Sequence, residues 1–150
     1  MTWRTVATFR VSGDPKPQPR PRAFSRGGSA RVYDPGTAEG WKGAIALAAR
    51  EHLPTAPLQG PIRVSATLMF RRPKAHYIAG KVERGLRPGA PLYHTGKPDR
   101  DNCEKAVTDC LTTLGMWRDD GQVCGGEVVK VYSDAPGAEI RIDVAVEASP

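Results

Sequence analysis

Cysteine is scarce. Cys103, Cys110 and Cys124 are the three in 150 residues, odd in number and without C-x-x-C spacing. That pattern argues against a disulfide framework and against a zinc site. Cys103 and Cys110 stand seven apart on an expected helix and read as small core thiols. Long apolar runs are missing as well. With no stretch of about 18 consecutive apolar residues, no helical membrane span is expected. The N-terminal "MTWRTVATFRVSG" alternates like a strand. It lacks the unbroken apolar core of a signal peptide, which points to the cytoplasm. The chain contains no G-x-S-x-G, P-loop, H-E-x-x-H or G-x-G-x-x-G, so neither a nucleotide cofactor nor those hydrolase chemistries are expected. It has no internal repeat and no long disordered tail. The three histidines are scattered: His52 and His76 read as solvated, whereas His94 stands five residues before an acidic motif.

Negative charge is the minority. Lys and Arg number 22 against 16 Asp and Glu, a net charge of +6. Excess cations imply an anionic partner, usually nucleic acid, although solubility alone could account for +6. Their distribution is uneven. "GDPKPQPRPRAFSRGGSARVYDPG" carries Lys16, Arg20, Arg22, Arg26 and Arg31 with five prolines and only two acids. Pro and Gly at this density exclude helix and disfavour a central strand. Residues 72–98 form a second basic connection, with six Lys or Arg, including Lys74, Lys81, Arg84, Arg87 and Lys97, against Glu83 alone. Connections this long are uncommon in compact domains and often functional.

Between these loops the patterning is regular. A chain of 150 residues is most simply one domain. Strands are expected at 3–12, 61–71, 123–132 and 138–147. In the second, Ile62, Val64, Ala66, Leu68 and Phe70 alternate strictly; in the last, Ile140, Ile142, Val144 and Val146 do. The turn-like "SDAPGA" between the final two predicts a hairpin. Helical spacing covers 37–53, with Trp41, Ile45, Ala48 and Ala49 near one face. It recurs over 102–114, with a stripe of Ala106, Val107, Cys110, Leu111 and Leu114. Asp101 is the expected N-cap of this helix, with Glu104 completing a capping box, and Gly115 its stop. The fold class is α/β, in its α+β form: a single compact domain with a mixed β-sheet and two main helices packed on it.

Four aspartates stand in "PDRDNCEK" and "WRDDGQV", within 22 residues from the first to the last of them. Hard divalent cations want carboxylate oxygens. Asp99 and Asp101, two apart, share one side of an extended segment. Lys105 follows Asp101 by one helical turn, available to a phosphate or a reacting water. Asp109, one turn further, could pair with Lys105. Asp119 and Asp120 come after Gly115, and a return along the helix would bring Asp120 near Asp101. Each cluster also has a plainer reading, a turn with an N-cap and a polar turn before a strand. The residues leave these readings open.

Residues 97–123, "KPDRDNCEKAVTDCLTTLGMWRDDGQV", resemble the signature of the RusA family of Holliday-junction resolvases (crossover junction endodeoxyribonucleases). That pattern is D-x-D-N, a Lys three residues on, D-x-L, Gly–hydrophobic–Trp, then D-D-x-Q-V. "PKPQPRPR" followed by "RVY" resembles the family's basic N-terminal loop more loosely. The chain departs at Pro98, where relatives often carry a basic residue, and in the length of the 72–98 loop. The resemblance implies a RusA-like fold and a homodimeric endonuclease dependent on Mg²⁺, with Mn²⁺ as a substitute. Such an enzyme resolves four-way DNA junctions by paired symmetric nicks, in recombination and repair. It implies Asp99, Asp101 and Asp120 as metal-binding and catalytic acids and Lys105 as the essential lysine. Asp119, Asp109 and His94 are then supporting neighbours, and both basic loops are DNA contacts. A catalytically silent branched-DNA-binding module of the same fold is the alternative.

Overall fold

The computed structural model describes residues 2–19, 22–26, 29–33 and 38–147, with 22–26 and 29–33 described by their backbone path. Five strands form a mixed sheet: β1 (Thr2–Ser12), β4 (Ile62–Arg71), β5 (Val123–Gly125), β6 (Val128–Ser133) and β7 (Gly137–Val146). The order is β1-β7-β4, with β5 and β6 following one another along the far edge of β4. β7 runs antiparallel to both β1 and β4, while β5 and β6 run parallel to β4. The sheet class and the two helices agree with the sequence expectation.

The expected hairpin between the last two strands does not form. β6 and β7 flank β4, with Phe70 facing Tyr132 on one side and Ala66 facing Ile140 on the other. β4 ends at Arg71, so residues 134–136 can cross over its end. Flanking strands stand about 10 Å apart, a gap three residues can span. The Pro-rich segment likewise contains more order than its composition suggested. β2 (Arg22–Arg26) and β3 (Ser29–Tyr33) pair as a separate two-stranded antiparallel sheet. That placement respects the exclusion of prolines from central strands.

One face of the main sheet carries both helices, α1 (Glu39–Ala49) and α2 (Arg100–Leu114). Trp41, Ile45 and Ala49 from α1, and Cys103, Ala106, Val107, Cys110 and Leu111 from α2, are buried. They join Phe9, Val11, Ile62, Val64, Leu68, Ile140 and Ile142 in a single core. Ala48 and Leu114 reach only its margin. Burying each such large side chain contributes about 1.5–3 kcal/mol. Among the described residues no helix is long and apolar enough to cross a membrane.

The opposite sheet face is polar, and one carboxylate there is fully buried. Asp143, 1% exposed, accepts from Thr5 Oγ1 at 2.7 Å and from Arg63 Nε at 3.1 Å, with Arg141 Nε 3.4 Å away. Burial alone would raise its pKa. The hydroxyl and the two guanidiniums outweigh burial and hold it below the ordinary carboxylate value. A depressed folded pKa stabilises the fold above the unfolded pKa, and that stability is lost as pH falls through the folded value. Asp143→Asn should therefore cost about 2–3 kcal/mol at pH 7. The difference from wild type should shrink from about pH 4 downward. Urea unfolding of both proteins at neutral and acidic pH measures it; a difference independent of pH would contradict the assignment.

Candidate nucleic-acid and metal site

The acidic motif opens α2, but two residues earlier than expected. Asp99 occupies the N-cap position with extended backbone (φ −69°, ψ 147°), and Asp101 already lies in the first helical turn. No Asp101–Glu104 capping box forms, because a capping residue must stand outside the helix. Both carboxylates thus stand at the positive end of the helix dipole. Both lie close enough to Cys103 to oppose its ionisation. Burial is the larger cause, and together they push that thiol up to about 11. Cys103 is therefore protonated at neutral pH and offers no thiolate.

Lys97 Nζ approaches Asp99 Oδ2 at 2.9 Å, so this lysine of the second basic loop pairs with the first acid. Asp99 also borders a cleft of about 570 Å³, together with Lys16, Phe70, Arg71, His94 and Lys97. The cleft lies where the basic N-terminal segment meets α2. There, Gln18 N donates to Asn102 O at 2.8 Å. His94 stacks on Phe70 with ring centroids 4.1 Å apart. Burial first, and Lys130 second, lower its pKa, which keeps it neutral at pH 7. Arg71, not anticipated from sequence, reaches this cleft from the end of β4 and pairs with Asp14 at 3.6 Å. Its signal was its place at the exit of a buried strand, a common position for functional groups.

Lys105 is exposed, four residues after Asp101 and on the same helical face. It does not pair with Asp109. Asp109 turns to α1 and meets Lys42 Nζ at 3.7 Å, which ties the two helices together. The second acidic cluster is built with care. Asp119 caps a short 3₁₀ turn, Asp120–Gln122, accepting from Gly121 N at 2.8 Å. Gln122 Oε1 accepts from the backbone of Asp119 and Arg118, at 3.1 and 2.9 Å. Its Nε2 donates to Leu58 O at 2.9 Å and Gly60 O at 3.1 Å. Asp120 leans on Thr112, whose hydroxyl accepts from Trp117 Nε1 at 2.7 Å. Thr108 O, 2.9 Å away, competes with Asp120 for the single hydroxyl hydrogen. Thr112, Trp117 and Gln122 are thus positioning residues that sequence reading left without a role. Gln122 and Trp117 stood in the quoted motif; Thr112 gave no signal.

This anchoring decides where Asp120 stands. Thr112 follows Asp101 by eleven residues of continuous helix, about 16 Å along the axis. The expected return of Asp120 to Asp101 does not occur within one chain: the turn docks at the C-terminal end of α2. Among the described residues, no three His, Cys, Asp or Glu side chains gather to hold a metal ion. A Mg²⁺ site does not need three, since this ion is commonly bound by one or two carboxylates plus water and substrate phosphates. The Asp99–Asp101 pair fits that donor set.

The basic loops divide. Lys74, Lys81 and Arg84 are exposed and carry no ion pair among the described residues. Arg87 Nε is engaged by Tyr77 O at 3.0 Å. Arg22, Arg26 and Arg31 fall on the β2–β3 hairpin, with Arg31 opposite Phe24. Arg20 lies outside the described residues.

Residues 12–143 match the family of endodeoxyribonuclease RusA. The chain belongs to the RusA family. It is also similar to the "Uncharacterized protein YqaN" of Bacillus subtilis (strain 168), 35% identical over 134 residues, 89% of this chain and 93% of that protein. The RusA match spans β4, both basic loops, α2, the acidic turn and most of β7. The family is one of endonucleases that act on branched DNA.

Proposed function

We infer that this RusA-family chain is a Mg²⁺-dependent endodeoxyribonuclease that resolves four-way DNA junctions by paired symmetric nicks, serving recombination and repair. The observation that carries this reading is the Asp99–Asp101 pair at the start of α2, beside a cleft lined by Lys16, Arg71 and Lys97. Two acids alone would repel DNA. Set against cations on one cleft, they can share a hard cation with a phosphate.

Asp99, beside Lys97, and Asp101 would hold the divalent ion, Mg²⁺ or Mn²⁺. When bound, the ion supplies Lewis acidity at the scissile phosphate. Lys105 places its ammonium one turn from Asp101, where it stabilises charge developing on the phosphate oxygens. Neutral His94, fixed by Phe70, lines the cleft and orients groups without competing for phosphate. Asp120 takes part across a homodimer. It stands about 16 Å along α2 from Asp101 of its own chain. A second protomer in two-fold symmetry can present its own Asp120 to that pair, and symmetry then makes two equivalent sites. Two such sites suit paired nicks. Asp119, by capping the acidic turn, orients Asp120 and binds no ion, and Asp109 acts only through the helix pair.

The test is a panel of labelled four-way junction, flap and linear duplex, each with Mg²⁺ or EDTA. Symmetric nicks in the junction, in Mg²⁺ only, are expected. Tight junction binding without cleavage would instead assign the chain as a silent branched-DNA-binding module.

A further inference from the structure

The 72–98 loop is held more firmly than its length suggests. Tyr77 is buried, and its hydroxyl donates to Asp134. Ile78 N donates to Gly85 O at 3.0 Å, and Arg87 N donates to His76 O at 2.9 Å. Arg72 Nη1 donates to Pro91 O at 2.8 Å. The end of the loop is stitched to β6: Tyr132 N donates to Leu92 O at 2.9 Å and His94 N to Lys130 O at 3.0 Å.

Despite this internal bonding, the loop turns large apolar side chains outward. Six large apolar side chains are exposed among the described residues, and five stand here: Ile78, Val82, Leu86, Leu92 and Tyr93, each 40–60% exposed. Apolar side chains massed on one exposed segment mark an interaction surface. Cations are interleaved with them. Lys74, Lys81 and Arg84 are exposed and without ion pairs among the described residues, and Glu83 is the loop's one acid. Apolar and aromatic faces beside free cations match a strand whose bases are unpaired and whose phosphates are charged. A second copy of the chain fits poorly, since it would press like charges together. Linear duplex fits poorly too, since its base faces are hidden by stacking.

We propose that this loop receives unpaired bases at the branch point of the DNA substrate. Tyr93 offers a stacking face, and Ile78, Val82 and Leu86 form an apolar wedge between bases. Lys74, Lys81 and Arg84 hold the flanking phosphates. This rests on the reading of the chain as a branched-DNA endonuclease, but concerns a surface that the acidic site does not use.

The test compares wild type, Ile78→Ser/Val82→Ser/Leu86→Ser, Tyr93→Ser and Tyr93→Phe. Each binds a four-way junction carrying 2-aminopurine at the branch and a linear duplex of equal length. Wild type and Tyr93→Phe should change the 2-aminopurine fluorescence. The two serine variants should lose that change and bind the junction about tenfold or more weakly, with duplex affinity and salt slope retained. Unchanged junction affinity and fluorescence in both serine variants would overturn the proposal while leaving the endonuclease reading intact. A shift of the serine variants from dimer to monomer in light scattering would also overturn it, assigning the loop to self-association. Wild type that does not prefer junction over duplex would overturn both readings. If the triple variant fails to fold, the Tyr93→Ser and Tyr93→Phe pair decides alone.

Discussion

Asp101→Asn should lower junction cleavage in Mg²⁺ by about 10²–10³-fold or more, and Asp99→Asn should do the same. An amide keeps the size of the carboxylate but removes the charge that attracts a hard cation. Binding should survive. Each substitution removes a negative charge beside a polyanion, so junction affinity should stay equal or rise. Asp99→Asn should in addition free Lys97 from its 2.9 Å ion pair, making the gain larger there. Lys105→Ala should lose cleavage as well, through a different step, and added Mg²⁺ should not restore it. Gel shift in EDTA and cleavage in Mg²⁺, on the same preparations, separate these effects. Strong cleavage by Asp101→Asn would remove the helix start from the chemistry.

The largest expected effect on stability lies far from those acids, at Gly126. This residue joins β5 to β6, where the chain passes along β4, and Ala66 N donates to Glu127 O at 2.9 Å just beyond it. Its φ is +124°, a conformation that side chains of L-residues rarely adopt. A Cβ there would stand 1.7 Å from Val64 O, a backbone atom of β4. Neither strand can yield without breaking the edge of the sheet. Gly126→Ala should therefore cost about 3 kcal/mol or more, and lower the urea midpoint by about 1–3 M. Cleavage should suffer also, because β5 follows Gln122 directly and holds the acidic turn against the sheet. Gly43→Ala is the control. It lies in α1 with nothing within 4 Å of the new Cβ, and should be neutral or slightly stabilising. Equal midpoints for Gly126→Ala and wild type would contradict this packing.

Much of the architecture was legible because it is local. Strict alternation in Ile62–Phe70 and Ile140–Val146 marked strands buried on one face, and both are. The Trp41–Ile45–Ala49 spacing marked α1, and Gly115 did end α2, at φ 87°. Pairing is not local, and the expected β6–β7 hairpin is absent because both strands flank β4. Nothing in "SDAPGA" says whether neighbouring strands pair or straddle a third. The outcome depends on β4 ending at Arg71. The N-cap shifted to Asp99 for a related reason: a first turn and an extended segment carry the same residue types.

The acidic site shows the same division. The motif named the acids and the lysine, and α2 does begin at them. It could not show that Asp109 prefers Lys42 on another helix, or that Lys97 turns inward to Asp99. Least legible was Asp120. Its position follows from Gln122 bonding to residues 58–60, more than sixty positions away, and from Trp117 fixing the Thr112 hydroxyl. These contacts hold Asp120 at the far end of α2.

In the proposed dimer, acids about 16 Å apart along one helix act together across two protomers. Mixing Asp101→Asn with Asp120→Asn tests it most directly. Each variant alone should be inactive on a four-way junction in Mg²⁺. After subunit exchange, roughly half of the dimers pair one variant with the other. Each such dimer has one site with both acids intact, about a quarter of the wild-type number of sites. Recovery of single nicks at about that level is expected. A mixture as inactive as its parents, with exchange confirmed by mass, would contradict a site shared between protomers.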